Sequence, residues 1–350
     1  MPAPQVSGYG PSMPQADING VTIEYDFRGE GEPLLLVMGL GGQLTDWRDD
    51  FVELFVEKGF QVIRFDNRDS GLSSQGTWKP PNQASVVRSI LTKKPVKGVA
   101  YSMVEMAADA VGLLDHLNID SAHVVGVSMG GMIVQEMAIN HPTRVRTMCS
   151  IMSNTGDRRN GGMAASLISK LVGRPKPTLE TAVEDNVETF RLIAGPHFDA
   201  EEHREHAQAQ VSRSFLPEGV ERQMSAIAST RDRTTLLSSV IAPTLVIHGL
   251  VDPLVKSSGG KTTAKAIPGS RFLGIPDMGH DLPRPRWLEI RDAIVETVGV
   301  PALIRERHLV RSTVTKITCL PSHSWGPVAP CPTRTEPDQP RSLPVALNSF

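Results

Sequence analysis

The stretch His123-Val-Val-Gly-Val-Ser128-Met-Gly130 carries a serine with glycine two residues to either side, set between a short apolar run and a helical pattern. Residues 126–130 match G-x-S-x-G, and the context gives each part a mechanical purpose. A serine held in a tight, strained turn brings its neighbours at two residues' distance against backbone, where only glycine leaves no side chain to collide. The turn lifts the hydroxyl to the carboxyl end of a strand, where open α/β sheets bind ligands, above the positive end of the next helix. The bare pattern also arises from plain turn chemistry. With a strand before it and a helix after it, Ser128 becomes a candidate nucleophile.

Outward from this point strand and helix alternate. Met129 to Asn140 reads as a helix stopped before Pro142, and Val145 to Ile151 as a strand. Upstream, Pro33-Leu-Leu-Leu-Val-Met38 is an apolar run closed by Gly39-Leu-Gly-Gly42, the pattern of a strand buried on both faces. A helix is expected from Thr45 to Lys58 and a strand over Phe60–Phe65. A longer helix opens at the capping-box spacing Ser102-Met-Val-Glu105, with Met103, Met106, Ala107, Ala110, Leu113, Leu114 and Leu117 at helical period. This alternation predicts an α/β fold with a mostly parallel central sheet and helices on both faces. At Asn19-Gly20, beside an alternating run to Arg28, a type I′ hairpin is expected at a sheet edge. The pattern pauses over 154–235, which is helical, charged and strand-poor, then resumes at Pro243–His248 and Arg271–Ile275 and closes with a helix from Arg286 to Val298. The interlude reads as a helical insertion lying over the sheet.

The 350 residues are 40% hydrophobic and 21% charged, enough apolar material for a sizeable core, which excludes disorder of the whole chain. A formal charge of −2 supplies no field for phosphate backbones or anionic membranes, so nucleic acid is not an expected partner. No apolar window approaches the roughly 18 residues that span a bilayer, and the first residues lack a signal-peptide pattern. Cys149, Cys319 and Cys331 have no metal spacing and suit a reducing compartment, so a soluble, cytoplasmic protein is expected. Residues 1–16 hold four prolines and no charge and read as a loose arm. Residues 300–350, rich in proline and without apolar periodicity, read as a disordered tail outside the compact unit.

A serine nucleophile needs a base, and imidazole is the usual one. His280 follows the Arg271–Ile275 strand, in the loop Pro276-Asp-Met-Gly-His280, and comes after the serine in chain order. His248 ends another strand and reads as a hydrogen bonder at the edge of the core. The imidazole in turn needs a carboxylate to fix its tautomer. Asp252, just past the Pro243–His248 strand, would lie beside His280 if the two strands are neighbours. Asp157, beyond the Val145–Ile151 strand, is the alternative, with Asp277 and Asp281 read as capping or surface charges. Two preset amides are required for the tetrahedral oxyanion. Met129 supplies one and the glycine-rich loop the other, at Leu40. Read instead as a dinucleotide fingerprint, Gly39-Leu-Gly41 fails because its third glycine position holds Leu44. His203 and His206, with His197 nearby, have helical spacing but no HExxH pattern, and read as a solvated helix face rather than metal ligands. Met38, Met129, Met132, Met152 and Met278 all fall near the site and read as core filler able to line an apolar acyl pocket.

Taken together, the loop 38–42, the turn Asp66-Asn-Arg-Asp-Ser-Gly-Leu-Ser73 (similar to D-x-R-G-x-G-x-S) and the order Ser128, Asp252, His280 resemble the α/β-hydrolase superfamily over roughly residues 17–299. Met38 stands where many members have histidine, and with Arg64-Phe-Asp-Asn-Arg-Asp69 it looks most like the aclacinomycin methylesterase-type branch. The resemblance implies a serine carboxylesterase acting on small to medium esters through an acyl-enzyme, without cofactor or metal. It implies a core of residues 17–153 and 236–299 and a helical cap of 154–235. Lactone hydrolysis, C–C bond hydrolysis, acyl transfer and perhydrolysis use the same three side chains and stay open, as does a hydrolase-fold receptor for a small apolar ligand.

Overall fold

The computed structural model describes residues 13–299, with 93 and 172 excepted; the expectations for residues 1–12 and 300–350 lie outside the described residues. Eight strands form one sheet: β1 (Gln15–Ile18), β2 (Val21–Arg28), β3 (Glu32–Val37), β4 (Phe60–Phe65), β5 (Ala122–Val127), β6 (Val145–Ile151), β7 (Thr244–Gly249) and β8 (Arg271–Ile275). Their spatial order is β1-β2-β4-β3-β5-β6-β7-β8, with β1 and β2 antiparallel at one edge and the rest parallel. The hairpin falls where Asn19-Gly20 predicts it, both residues in the left-handed region at φ 51° and 78°. β1 begins at Gln15 and buries Ala16, so the arm expected over 1–16 gives up its last two residues to the sheet.

Ten helices are described: α1 (Asp49–Val56), α2 (Gln83–Thr92), α3 (Met103–His116), α4 (Met129–Asn140), α5 (Ala165–Leu171), α6 (Ala182–Ile193), α7 (Ala200–Arg213), α8 (Pro217–Ser229), α9 (Ser258–Ala266) and α10 (Trp287–Gly299). The central strands alternate between two cores at their period of two. Leu35, Val37, Ile63, Phe65 and Val124 face α3 and α4, whereas Leu34, Leu36, Phe60, Val62, Val125 and Val127 face α1 and α10. Both faces are covered, which is why these strands read as unbroken apolar runs. Truncating one wholly buried leucine, such as Leu36, would cost about 2–5 kcal/mol.

Two helices depart from the sequence expectation. The helix expected from Thr45 to Lys58 is broken into a 3-10 turn, Leu44–Asp46, and α1, because the Trp47 carbonyl accepts from the buried Arg64 guanidinium instead of continuing a helix. α3 starts at the capping box as expected: the Ser102 hydroxyl accepts from Val104 N at 3.2 Å and Glu105 accepts from Ser102 N at 2.7 Å. α2 has no counterpart in the expected elements. Between β6 and β7, residues 154–235 hold α5 to α8 and no strand.

Candidate active site

Ser128 follows β5 and caps the start of α4 with φ 54° and ψ −116°, a strained conformation for any side-chain-bearing residue. The two glycines are sterically required. A Cβ at Gly126 would run into the Gly130 carbonyl, and one at Gly130 into the Val37 carbonyl. Ser128 N donates to the Ile151 carbonyl at 2.9 Å, tying the turn to β6.

The structure brings Ser128, His280 and Asp252 into one line. His280 Nε2 lies 2.9 Å from Ser128 Oγ, and His280 Nδ1 lies 2.7 Å from Asp252 Oδ2. A carboxylate only accepts, which assigns the proton to Nδ1 and leaves the Nε2 lone pair facing the hydroxyl. The Leu254 and Val255 amides hold the other oxygen, Asp252 Oδ1, at 2.8 and 2.9 Å. β7 pairs with β8, so adjacent strands deliver Asp252 and His280 side by side. His248 is where a hydrogen bonder was expected: buried, its Nε2 donating to the Val255 carbonyl at 2.7 Å and lying 3.7 Å from Asp252 Oδ2. Burial holds its pKa below the ordinary imidazole value.

The other carboxylates have separate duties. Asp157 accepts from the Arg159 amide at 3.0 Å and from Asn160 at 2.7 Å. Asp277 accepts from both Arg286, at 2.8 Å, and His197, at 2.6 Å, and these hydrogen bonds hold it well below the usual carboxylate range. Asp281, read from the sequence as a capping or surface charge, is half-buried and caps two loop amides. Its Oδ1 accepts from the Gly279 amide at 2.9 Å and the Gly195 amide at 3.1 Å, and burial raises its pKa.

The loop after β3 passes beside the serine, for a Cβ on Gly39 would lie 3.3 Å from Ser128 Cβ. Leu40 sits one residue on, and Met129 opens α4 directly after Ser128, at a first helical position whose amide has no partner within its own helix. Met38, Met129, Met132, Met152 and Met278 are all buried in the core clusters. The histidines of α7 do not converge and are less solvated than expected. His203 lies against Phe190 and Phe198 and bonds Asn186, while His206 reaches Asp46 at 2.7 Å. Among the described residues no cluster could hold a metal ion.

Sequence reasoning missed how firmly the insertion grips this region. The His280 amide donates to the Ile193 carbonyl, on α6, at 2.7 Å. Arg213 reaches the buried Asp66 at 2.8 Å, and Arg222 reaches Asp69 at 2.8 Å, both in the turn after β4. Only their polar character within helical stretches was visible in the sequence.

Ser128 on a strained turn after a central strand, with His280 and Asp252 on loops after the last two strands, has the arrangement of a hydrolase-type site on a doubly wound sheet. The chain belongs to the α/β-hydrolase family, whose alpha/beta hydrolase fold pattern matches residues 32–167. It is 30% identical to the rhodomycin D methylesterase DnrP of Streptomyces peucetius over 273 residues, 72% of this chain and 85% of that protein. In three dimensions it is similar to the esterase EaEST of Exiguobacterium antarcticum (TM-score 0.62, 17% identity, 82% of this chain and 99% of that one). The enol-lactonase of Burkholderia xenovorans LB400 is similar too (TM-score 0.59, 21% identity, 82% and 100%). Likeness at these identities speaks for the fold alone.

Proposed function

We propose that this protein is a serine carboxylesterase. The observation that carries the reading is the row Ser128 Oγ, His280 Nε2, His280 Nδ1, Asp252 Oδ2, with spacings of 2.9 and 2.7 Å, on a strained turn. Ser128 attacks the ester carbonyl while its proton passes to His280 Nε2, and the carbonyl electrons move onto oxygen. The amides of Leu40 and Met129 hold that oxyanion, and Asp252 supports the imidazolium. Collapse of the intermediate expels the alcohol, which takes the proton from His280. Water, deprotonated by the same histidine, then adds to the acyl-enzyme and releases the acid.

The methylesterase named among its relatives supports an ester of a small alcohol as substrate class. The insertion supports a cap that shapes acyl preference, since its α6 contacts the histidine loop directly. No helix among the described residues is long and apolar enough to cross a membrane, and the free, buried Cys149 suits a reducing, cytoplasmic setting. The test is turnover of a panel of methyl, p-nitrophenyl and lactone esters by wild type and Ser128→Ala, with labelling by a fluorophosphonate. Loss of both turnover and label in the folded variant supports the reading. Turnover that survives Ser128→Ala overturns it.

A further inference from the structure

The loop from Met38 to Leu44 is fixed peptide by peptide. The Met38 carbonyl accepts from Asn67 Nδ2 at 3.0 Å, the Gly39 carbonyl from the Gly42 amide at 3.2 Å, and the Gly42 carbonyl from the Ser70 hydroxyl at 2.6 Å. The Gln43 amide donates to Asp46 at 2.7 Å and the Leu44 amide to Asp66 at 2.6 Å. These partners all belong to the core's own loops. Gly41 differs, because its amide donates at 2.7 Å to Gln223 Oε1, on α8 of the insertion and 182 residues away in sequence.

Gln223 is wholly buried, and its Nε2 donates to the Arg68 carbonyl at 2.8 Å, so the carboxamide is oriented from both ends. Val220, one turn earlier on α8, closes over the same place: a Cβ at Gly41 would lie 2.9 Å from Val220 Cγ2. Gly41 itself has φ 67°, a conformation few side chains tolerate. The peptide that Gln223 holds shares the Leu40 Cα with the peptide whose N–H the proposed mechanism assigns to the oxyanion. Fixing one plane restricts rotation of the other. An N–H stabilises a developing oxyanion only when it is already in place, about 2.7–3.1 Å from the charge.

We infer that Gln223 is a positioning residue, supplied by the insertion, that sets the oxyanion loop through Gly41. The inference rests on the serine-esterase reading. Gln223 bonds the Gly41 and Arg68 backbone and none of Ser128, His280 or Asp252, so its effect is expected on stabilisation of the oxyanion. The helical insertion thus completes the catalytic centre in addition to covering it.

The experiment uses the full chain, a p-nitrophenyl ester and four proteins: wild type, Ser128→Ala, Gln223→Met and Gln223→Glu. Methionine keeps the length and bulk but offers Gly41 no acceptor oxygen, whereas glutamate, kept neutral by burial, offers its C=O to Gly41 and its O–H to the Arg68 carbonyl. Gln223→Met should lower kcat about tenfold or more with KM changed less than about twofold. A trifluoromethyl ketone bonds to Ser128 Oγ, places its carbonyl electrons on oxygen and sends the serine proton to His280. Its affinity should fall by the same factor as kcat, while affinity for the product carboxylate holds. Gln223→Glu should recover most of kcat. Unchanged kcat and ketone affinity in Gln223→Met overturn the inference. So does a parallel fall in ketone affinity, carboxylate affinity and Tm, or a glutamate variant no better than methionine. Turnover that requires Ser128 and ignores Gln223 sinks this inference alone; wild type without turnover or label sinks the esterase reading with it.

Discussion

The backbone amide of His280 donates to the carbonyl of Ile193 at 2.7 Å, so the histidine at the centre of the site is held by the end of a helix that is no part of the sheet. The two segments approach too closely for side chains. A Cβ at Gly195 would lie 2.6 Å from the Asp277 carbonyl oxygen and 2.8 Å from the Gly279 amide. Gly195→Ala is therefore expected to destabilise the protein by about 1–3 kcal/mol in urea denaturation and to lower kcat as His280 shifts. Gly162→Ala, with open space around its Cα, serves as the neutral control.

Asp252→Asn should reduce kcat by about 10³- to 10⁴-fold with Tm nearly unchanged. The reason is orientation. The Leu254 and Val255 amides both donate to Oδ1, so an asparagine must place its own oxygen there and its NH₂ where Oδ2 was. That NH₂ faces His280 Nδ1 and drives the ring proton to Nε2, against the Ser128 hydroxyl. Full activity in Asp252→Asn would remove Asp252 from the mechanism.

Burial between α6 and α7 pulls the His203 pKa down to about 4. The unfolded chain takes up that proton near pH 6.5, well before the folded one. Stability from this site is thus complete above about pH 6.5 and is lost as the pH falls toward 4. His203→Gln keeps a donor for Asn186 but cannot titrate. Tm measured between pH 7 and pH 4.5 should fall more steeply for wild type than for the variant, and parallel curves would refute the assignment.

Arg213→Met removes the cation from between two buried carboxylates, Asp66 at 2.8 Å and Glu24 at 3.7 Å. Leaving them unpaired should cost about 3–5 kcal/mol. Adding Asp66→Asn should restore part of the loss by deleting one stranded charge. Urea titration of both variants measures the difference.

What could be read from the sequence was what neighbours in the chain determine. Asn19-Gly20 demands positive φ, Ser102 and Glu105 cap one another three residues apart, and the glycines at 126 and 130 serve the turn between them. The parallel strands were legible because each is buried on both faces. The contacts that fasten the insertion were not, since Arg213, Arg222 and Gln223 meet partners 147 to 182 residues away, with no local pattern to announce them. The break at Trp47 was hidden for the same reason, because the group that takes its carbonyl, Arg64, lies on another strand. α2 was obscured by the Lys79-Pro-Pro81 stretch ahead of it. That Asp281 caps an amide of the insertion, at Gly195, could not be read either, because nothing nearby in sequence places Gly195 beside it.

The buried bonds from α7 and α8 to the turn after β4 and the loop after β3 bear on how this protein can be remodelled. The insertion joins the core at two chain crossings, near residues 154 and 235, yet its fit is settled at Asp66, Asp69 and Gly41, far from either. A helical segment grafted from a relative by cutting at those crossings would arrive without the partners for three buried polar groups. The exchangeable unit is the insertion together with residues 38–44, 66–73 and 277–281, and recombination that respects this boundary keeps its hydrogen bonds in register.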